Sequence, residues 1–274
     1  MSLLGAAEVR ELAAKLNLNP SKGLGQNFVI DGNVCQKIVR QVTINPDDVV
    51  LEIGPGLGSL SLAILETGAE LIAVEIDHRL AKQLPETVSK HLAGANLTVL
   101  NEDALAINEL PKAPTVLVAN LPYNVSVPVL LNVLEKFPTI REGVVMVQAE
   151  VADRLAAKPG GKEFGVPSLK AAWWADISLS GTVSRSIFWP VPNVDSKLVY
   201  FKRHPDLGDQ NLRKKVFALI DAAFSQRRKM IRSSMSQILG NNAEEIITAS
   251  DIDPTLRGEA LDIVAYRTIA EKNY

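Results

Sequence analysis

Cysteine is almost missing from this 274-residue chain: Cys35 stands alone. One thiol excludes an internal disulfide and any cysteine-rich metal cluster, and it suits a reducing compartment. Long uncharged apolar runs are missing as well; none approaches the about 18 residues that a membrane span needs. The opening MSLLGAAEVRELAAKLNLNP is interrupted by Glu8, Arg10, Glu11 and Lys15. It reads as an amphipathic helix rather than a signal peptide. Internal repeats and low-complexity tracts are also lacking. The expectation is a soluble, cytoplasmic monomer without metal and without a membrane partner.

Excess charge of either sign is lacking overall, with a net of −2, which argues against indiscriminate nucleic-acid binding. The average conceals an asymmetry. Residues 1–180 carry 15 Lys/Arg and 20 Asp/Glu, a net of −5, whereas 181–274 carry 14 and 11, a net of +3. Within 202–232 nine basic residues stand against three acidic ones. A local basic face on a mildly acidic protein can bind phosphates, and a solvated helix face would read the same way.

What is present is alternation. VVLEI (49–53), LIAVEI (71–76), LTVL (97–100), TVLVA (115–119) and GVVMVQ (143–148) are short continuous apolar runs, as strands covered on both faces should be. Helical patterns at 59–67, 78–91 and 127–137 separate them, the last with Ser126 as N-cap and Pro128 in its first turn. Such alternation predicts an α/β protein with a parallel, doubly wound sheet. DISLSGTV (176–183) and SKLVYF (196–201) read as an antiparallel hairpin at the sheet edge. The polar stretch 202–210 marks a boundary, giving domains at 1–203 and 204–274. Beyond it, 211–239 and 255–272 read as wholly helical.

VVLEI runs into GPGLGS, so Gly54, Gly56 and Gly58 occupy a strand-to-helix turn, where glycine lets a ligand approach the backbone. The pattern is E-x-G-x-G-x-G rather than the dinucleotide fingerprint. Glu52 beside the turn would repel a pyrophosphate and suit a cofactor with a positive end. Glu75 lies 21 residues after Gly54, where an acid hydrogen-bonds ribose hydroxyls. Asp103 ends the third strand and can accept from an adenine amine. Adenosine with a cationic tail describes S-adenosylmethionine.

Four further stretches carry chemistry. GLGQNFVID (23–31) offers Gly23 and Gly25 as a loop, with Gln26 and Asn27 as amides, and is equally an ordinary turn. NLPYNVS (120–126) puts an amide, a proline and a tyrosine at a strand exit. FWPVPNVDS (188–196) has prolines that stiffen an extended connection. FSQRRKMIRSSM (224–235) clusters Arg227, Arg228, Lys229 and Arg232, with Arg228 and Arg232 at an i, i+4 spacing.

These motifs, with LEIGPGLGSLS, VEID, EDAL and DPTLRGEAL (253–261), occur in an order that closely resembles the ribosomal RNA adenine dimethyltransferases, in their bacterial small-subunit branch. The resemblance spans about residues 20–265. It implies a Rossmann-like S-adenosylmethionine domain, a mostly parallel sheet with an antiparallel edge, followed by a small all-helical domain that binds RNA. It implies dimethylation of N6 on two adjacent adenosines in the 3′-terminal hairpin loop of 16S rRNA within the small ribosomal subunit. Carried over by position, cofactor contacts fall on Asn27, the backbone at Val29, Gly54, Gly56, Glu75, Asp103 and Asn120. RNA phosphates fall to Arg227, Arg228, Lys229 and Arg232, with Arg213, Lys214 and Lys215 as further candidates. The tail DPTLRGEAL and the basic segment favour the small-subunit enzyme over the related large-subunit methyltransferase.

The chemistry of the acceptor explains NLPYNVS. The lone pair of adenine N6 is delocalised, so the protein must position and reshape rather than deprotonate. The amide oxygen of Asn120 and the carbonyl of Leu121 accept the N6 hydrogens, Pro122 stiffens the segment, and Tyr123 stacks on the extruded base. Phe188, by resemblance, covers its other face.

Overall fold

A computed structural model describes residues 3–18 and 27–273; the expectations for Gly23, Gly25 and Gln26 lie outside the described residues. The chain opens with α1 (Ala6–Lys15), β1 (Phe28–Val29), α2 (Gly32–Val39), β2 (Val49–Ile53), α3 (Ser59–Leu65), β3 (Glu70–Val74), α4 (His78–His91) and β4 (Leu97–Leu100). It continues with β5 (Val116–Asn120), α5 (Ser126–Lys136), β6 (Glu142–Gln148), α6 (Ala149–Ala156), α7 (Val166–Ala171), β7 (Ala175–Val183), β8 (Phe188–Trp189) and β9 (Ser196–Arg203). Helices α8 (Gln210–Ser225), α9 (Ile231–Ser234), α10 (Ser236–Leu239), α11 (Ala243–Thr248) and α12 (Ile263–Lys272) complete it.

Two compact units result: Met1–Ala152 with Ser178–Arg203, and Asp153–Ile177 with His204–Tyr274. The break at Arg203/His204 falls at the polar stretch, but Asp153–Ile177, which include the first residues of β7, cluster with the C-terminal residues. Trp173 and Trp174 set their rings edge-on to Phe217 of α8, and such aromatic pairs favour burial together.

In the first unit the sheet order is β4-β3-β2-β5-β6-β9-β7. Neighbours from β4 to β6 run parallel, and β9 runs antiparallel to β6, from Glu142 opposite Lys202 to Gln148 opposite Ser196. The antiparallel edge thus begins with β9 on β6, and β7 is outermost. Val50, Leu51, Leu71, Ile72, Val116, Val118, Val144 and Val145 are fully buried. Continuous apolar strands are tolerated here because both sheet faces are covered. The chain leaves β2 towards β3 and β4, then returns to β5 and β6, so the switch point lies between β2 and β5. Ligands of open α/β sheets bind outside the strand carboxyl ends at that point.

Local chemistry sets the helix starts. Asp31 accepts from the N–H groups of Asn33 and Val34 at α2, and Asp77 from that of Arg79 at α4, satisfying donors that the first turn leaves open. α5 departs from expectation. Ser126 is its first residue and Val125 its cap; the hydroxyl of Ser126 reaches back to the carbonyl of Tyr123 instead. The second unit is less continuous than its sequence pattern. Residues 226–230 break the helix between α8 and α9, because Met230 adopts extended backbone, pairs with Arg257, and lets Ile231 N–H reach the carbonyl of Leu256. Helix resumes after 255 only with a short 3-10 turn at Gly258–Ala260 and then α12.

Candidate active site

A cleft at the carboxyl ends of β2, β3 and β5 is lined by Asn27, Val29, Gly54, Gly56, Glu75, Asp103 and Asn120, together with Leu121, Pro122 and Tyr123. Every cofactor-contact residue read from the sequence therefore meets at one place. Gly54 and Gly56 adopt φ values of 70° and 58°, which L side chains rarely take. A Cβ at Gly56 would sit 3.0 Å from the ring of Phe28. The turn is bare backbone by necessity.

Glu75, only 5% exposed, is held at the tip of β3. Its carboxylate accepts from Gly56 N–H at 3.1 Å and from Asp77 N–H at 2.9 Å. Burial raises its pKa, and these backbone donors oppose the rise. Asp103 is exposed and accepts from Leu105 N–H. Two apolar side chains beside these acids, Ile76 at 58% and Leu105 at 42% exposed, also line the cleft. Sequence reading passed over both, although each stands next to or near a strand-end acid. They offer the apolar surfaces that a flat ring needs between polar anchors.

Glu52 is fully buried under the glycine turn and accepts from the hydroxyl of Ser61 at 2.6 Å. Burial pushes its pKa up to about 8, with Glu75 adding to the rise. A carboxyl in this position favours a positively charged neighbour.

Asn120 closes β5, opposite Met146. Its Nδ2 donates to the carbonyl of Asn27 at 3.3 Å, which fixes the amide orientation. Its Oδ1 is buried and has no hydrogen-bond partner among the described residues. A buried acceptor without a partner costs free energy and marks a place where a ligand donor fits. Together with the glycine cradle and the buried acids, this donor and acceptor set fits an adenosine bearing a cation. Leu121 N–H is tied to the carbonyl of Met146 at 3.1 Å. The phenol of Tyr123 lies 2.9 Å from the hydroxyl of Ser196.

Phe188 is placed differently from expectation. It is 1% exposed, pairs with Val29 through β8, and belongs to the hydrophobic core rather than to the cleft lining. An aromatic ring on a two-stranded ribbon gains more from burial than from an open face. Val29 lines the cleft, and its carbonyl already accepts from Ser59.

The basic cluster belongs to the second unit and divides by partner. Arg227 donates to Glu259 at 2.8 Å and to the carbonyls of Lys162 and Phe164 at 3.1 and 3.2 Å, and lies over the ring of Phe224. Arg232 pairs with Glu244 at 3.0 Å. Arg228 and Lys229 are exposed. The i, i+4 face expected for Arg228 and Arg232 does not form, since the helix breaks between them. Arg213 is 8% exposed and stacks over Trp174 and Phe217; it braces this unit's core rather than facing solvent. Among the described residues, no cluster of His, Cys, Asp and Glu is arranged to hold a metal, and no helix is long and apolar enough to cross a membrane.

Comparison with known proteins agrees with this geometry. The family model described as ribosomal RNA adenine dimethylase matches residues 17–271. The ribosomal RNA small subunit methyltransferase A of Leifsonia xyli is 54% identical, over 99% of both chains, and that of Thermobifida fusca is 52% identical over 98% and 96%. Among solved structures, a dimethyladenosine transferase from Plasmodium falciparum superposes with a TM-score of 0.74 at 24% identity, covering 88% of this chain and 95% of its own. The 23S rRNA methyltransferase ErmE does so with 0.69 at 24% identity, covering 90% and 99%. These two carry the fold, and the Rossmann-like sheet is common to them. With a family model and relatives above half identity extending from end to end, this chain belongs to the ribosomal RNA adenine dimethylase family.

Proposed function

We propose that this enzyme dimethylates N6 of two adjacent adenosines in the 3′-terminal hairpin loop of 16S rRNA, on the assembling small ribosomal subunit, and that it works as a monomer. Methyl transfer from S-adenosylmethionine is the activity of its family; the target, the residues and the assembly context are the proposal. The relatives' name, ribosomal RNA small subunit methyltransferase A, supports the choice of subunit.

When bound, S-adenosylmethionine supplies an electrophilic methyl group on a sulfonium. Glu75 would hold the ribose and Asp103 the adenine amine, with Ile76 and Leu105 against the ring. Gly54 and Gly56 expose backbone, Asn27 and the backbone at Val29 flank them, and Glu52 would offset positive charge. For the acceptor adenine, Asn120 Oδ1 takes one N6 hydrogen and the carbonyl of Leu121 takes another. Both turn the nitrogen lone pair out of the ring plane, and their dipoles offset the positive charge that develops on nitrogen. An amide at this position avoids a full negative charge, which would stabilise the bound donor as much as the transition state. Tyr123 offers a face to the base after extrusion. Phe188 supports the cleft from the core. Arg228 and Lys229 supply phosphate contacts, which position RNA without reading sequence.

One observation carries the reading: the buried, partnerless Oδ1 of Asn120, its amide fixed by Asn27, beside the acids of an adenosine site. The test is Asn120→Ala assayed with labelled donor on unmethylated ribosomal subunits of each size. Methylation should fall by about two orders of magnitude while subunit binding persists. Label on the large subunit, or full activity of the variant, would refute the proposal.

A further inference from the structure

The motifs NLPYNVS and FWPVPNVDS meet in a single hydrogen bond between residues 73 positions apart. We infer that Ser196 is a positioning residue for the acceptor pocket: its hydroxyl holds the phenol of Tyr123 and thereby fixes the plane of the ring that lines the cleft. The inference rests on the reading of Tyr123 as the stacking surface.

Ser196 is wholly buried and opens β9. Its backbone is fixed in the sheet, because it stands opposite Gln148 of β6, and the adjoining Asp195 carbonyl accepts from Ala149 N–H at 3.0 Å. The hydroxyl therefore projects from a rigid base. On the other side, two hydrogen bonds join the segment Leu121–Tyr123 to the sheet. Leu121 N–H is bonded to Met146 of β6 at 3.1 Å, and the Tyr123 phenol to Ser196 of β9 at 2.9 Å. Pro122 between them has a fixed φ and no N–H, which stiffens the segment. A tyrosine side chain moves about two torsions, and holding its far end removes most of that freedom. Burial raises the phenol's pKa against the lowering by Ser196, with Asp195 adding to the rise; the group stays a neutral partner in this bond. A ring ordered before RNA arrives spares the complex the cost of ordering it, which is about 0.5–1.5 kcal/mol per side chain, or roughly a threefold to tenfold change in binding.

The experiment is a double-mutant cycle of Ser196→Ala and Tyr123→Phe, read with unmethylated small subunits as substrate. Each single variant should raise KM for RNA roughly threefold to tenfold, and Ser196→Ala should do so with kcat and donor affinity close to those of the parent. The double variant should be no worse than either single one, because all three lose the same bond. Should Ser196→Ala fold poorly, Tyr123→Phe reads that bond from its other end. Multiplying effects, a donor affinity that falls in step, or an unaltered KM in Ser196→Ala would overturn the inference. Tyr123→Leu separates the two levels. If it methylates normally, the stacking role of Tyr123 fails; if it is impaired while Ser196→Ala is not, only the positioning by Ser196 fails.

Discussion

The side-chain amide of Asn120 donates to the backbone carbonyl of Asn27, 93 residues away, and so turns its own oxygen into a buried position without a partner among the described residues. A carboxylate could not take this place without setting an oxygen against the Asn27 carbonyl. Asn120→Asp should therefore lower kcat by about a hundredfold or more, while donor affinity is kept or rises, since a full charge favours the bound cation itself. Single-turnover methylation beside a donor titration checks both halves.

Glu52 should make donor binding a proton-linked event. Its carboxyl is faced by Ser61, Glu75 and Cys35, and burial lifts its pKa to about 8 while the Cys35 thiol is pushed up to about 12. At pH 7 Glu52 is mostly protonated, and a cation nearby favours the carboxylate. Binding of S-adenosylmethionine should release close to one proton at pH 7, and affinity should rise between pH 7 and 8 before levelling. Calorimetry in buffers of different ionisation enthalpy measures the release, and Glu52→Gln should abolish it.

Asp48 anchors the sheet's amino-terminal side. Its carboxylate accepts from Arg141 at 2.6 and 2.9 Å, from Thr115 at 2.7 Å and from Asn45 N–H at 2.8 Å. The Arg141 guanidinium holds this carboxyl well below the usual carboxylate range. A depressed pKa contributes stability above the unfolded value, near 4, and loses it as pH falls towards the folded value. Because Arg141 is 41% exposed, solvent screens the pair. Asp48→Asn should cost about 1–2 kcal/mol at pH 7 and much less near pH 2, as urea titrations at the two pH values would record.

Arg227 and its neighbours should separate by phenotype. Arg227→Ala removes three hydrogen bonds, to Glu259, Lys162 and Phe164. It should lower stability by about 1–2 kcal/mol, seen as an earlier thermal transition. Arg228→Ala and Lys229→Ala should leave that transition unmoved. Each should weaken RNA binding uniformly and reduce the salt dependence by about one unit of slope.

Much of this site was legible because a parallel α/β sheet turns sequence order into place. Glu52, Glu75, Asp103 and Asn120 each stand at or beside a strand's end, and strand–helix alternation sends all such ends to one edge. Gly54 and Gly56 were legible for a local reason, the backbone geometry that only glycine takes easily. Ile76 and Leu105 were passed over because apolar residues near strands read as core; their exposure depends on where the strand stops.

The sequence by itself thus determined the alternating layers, the glycine turn, the strand-end acids and the amide at the β5 exit, all properties of short segments and their order. Only the tertiary structure decided that Phe188 faces the core, that Asp153–Ile177 join the second unit, that the basic segment breaks at Met230, and that Ser196 holds Tyr123. Each of these depends on which side chain meets which across long sequence separations, and burial and pairing energies, rather than local periodicity, settle such meetings.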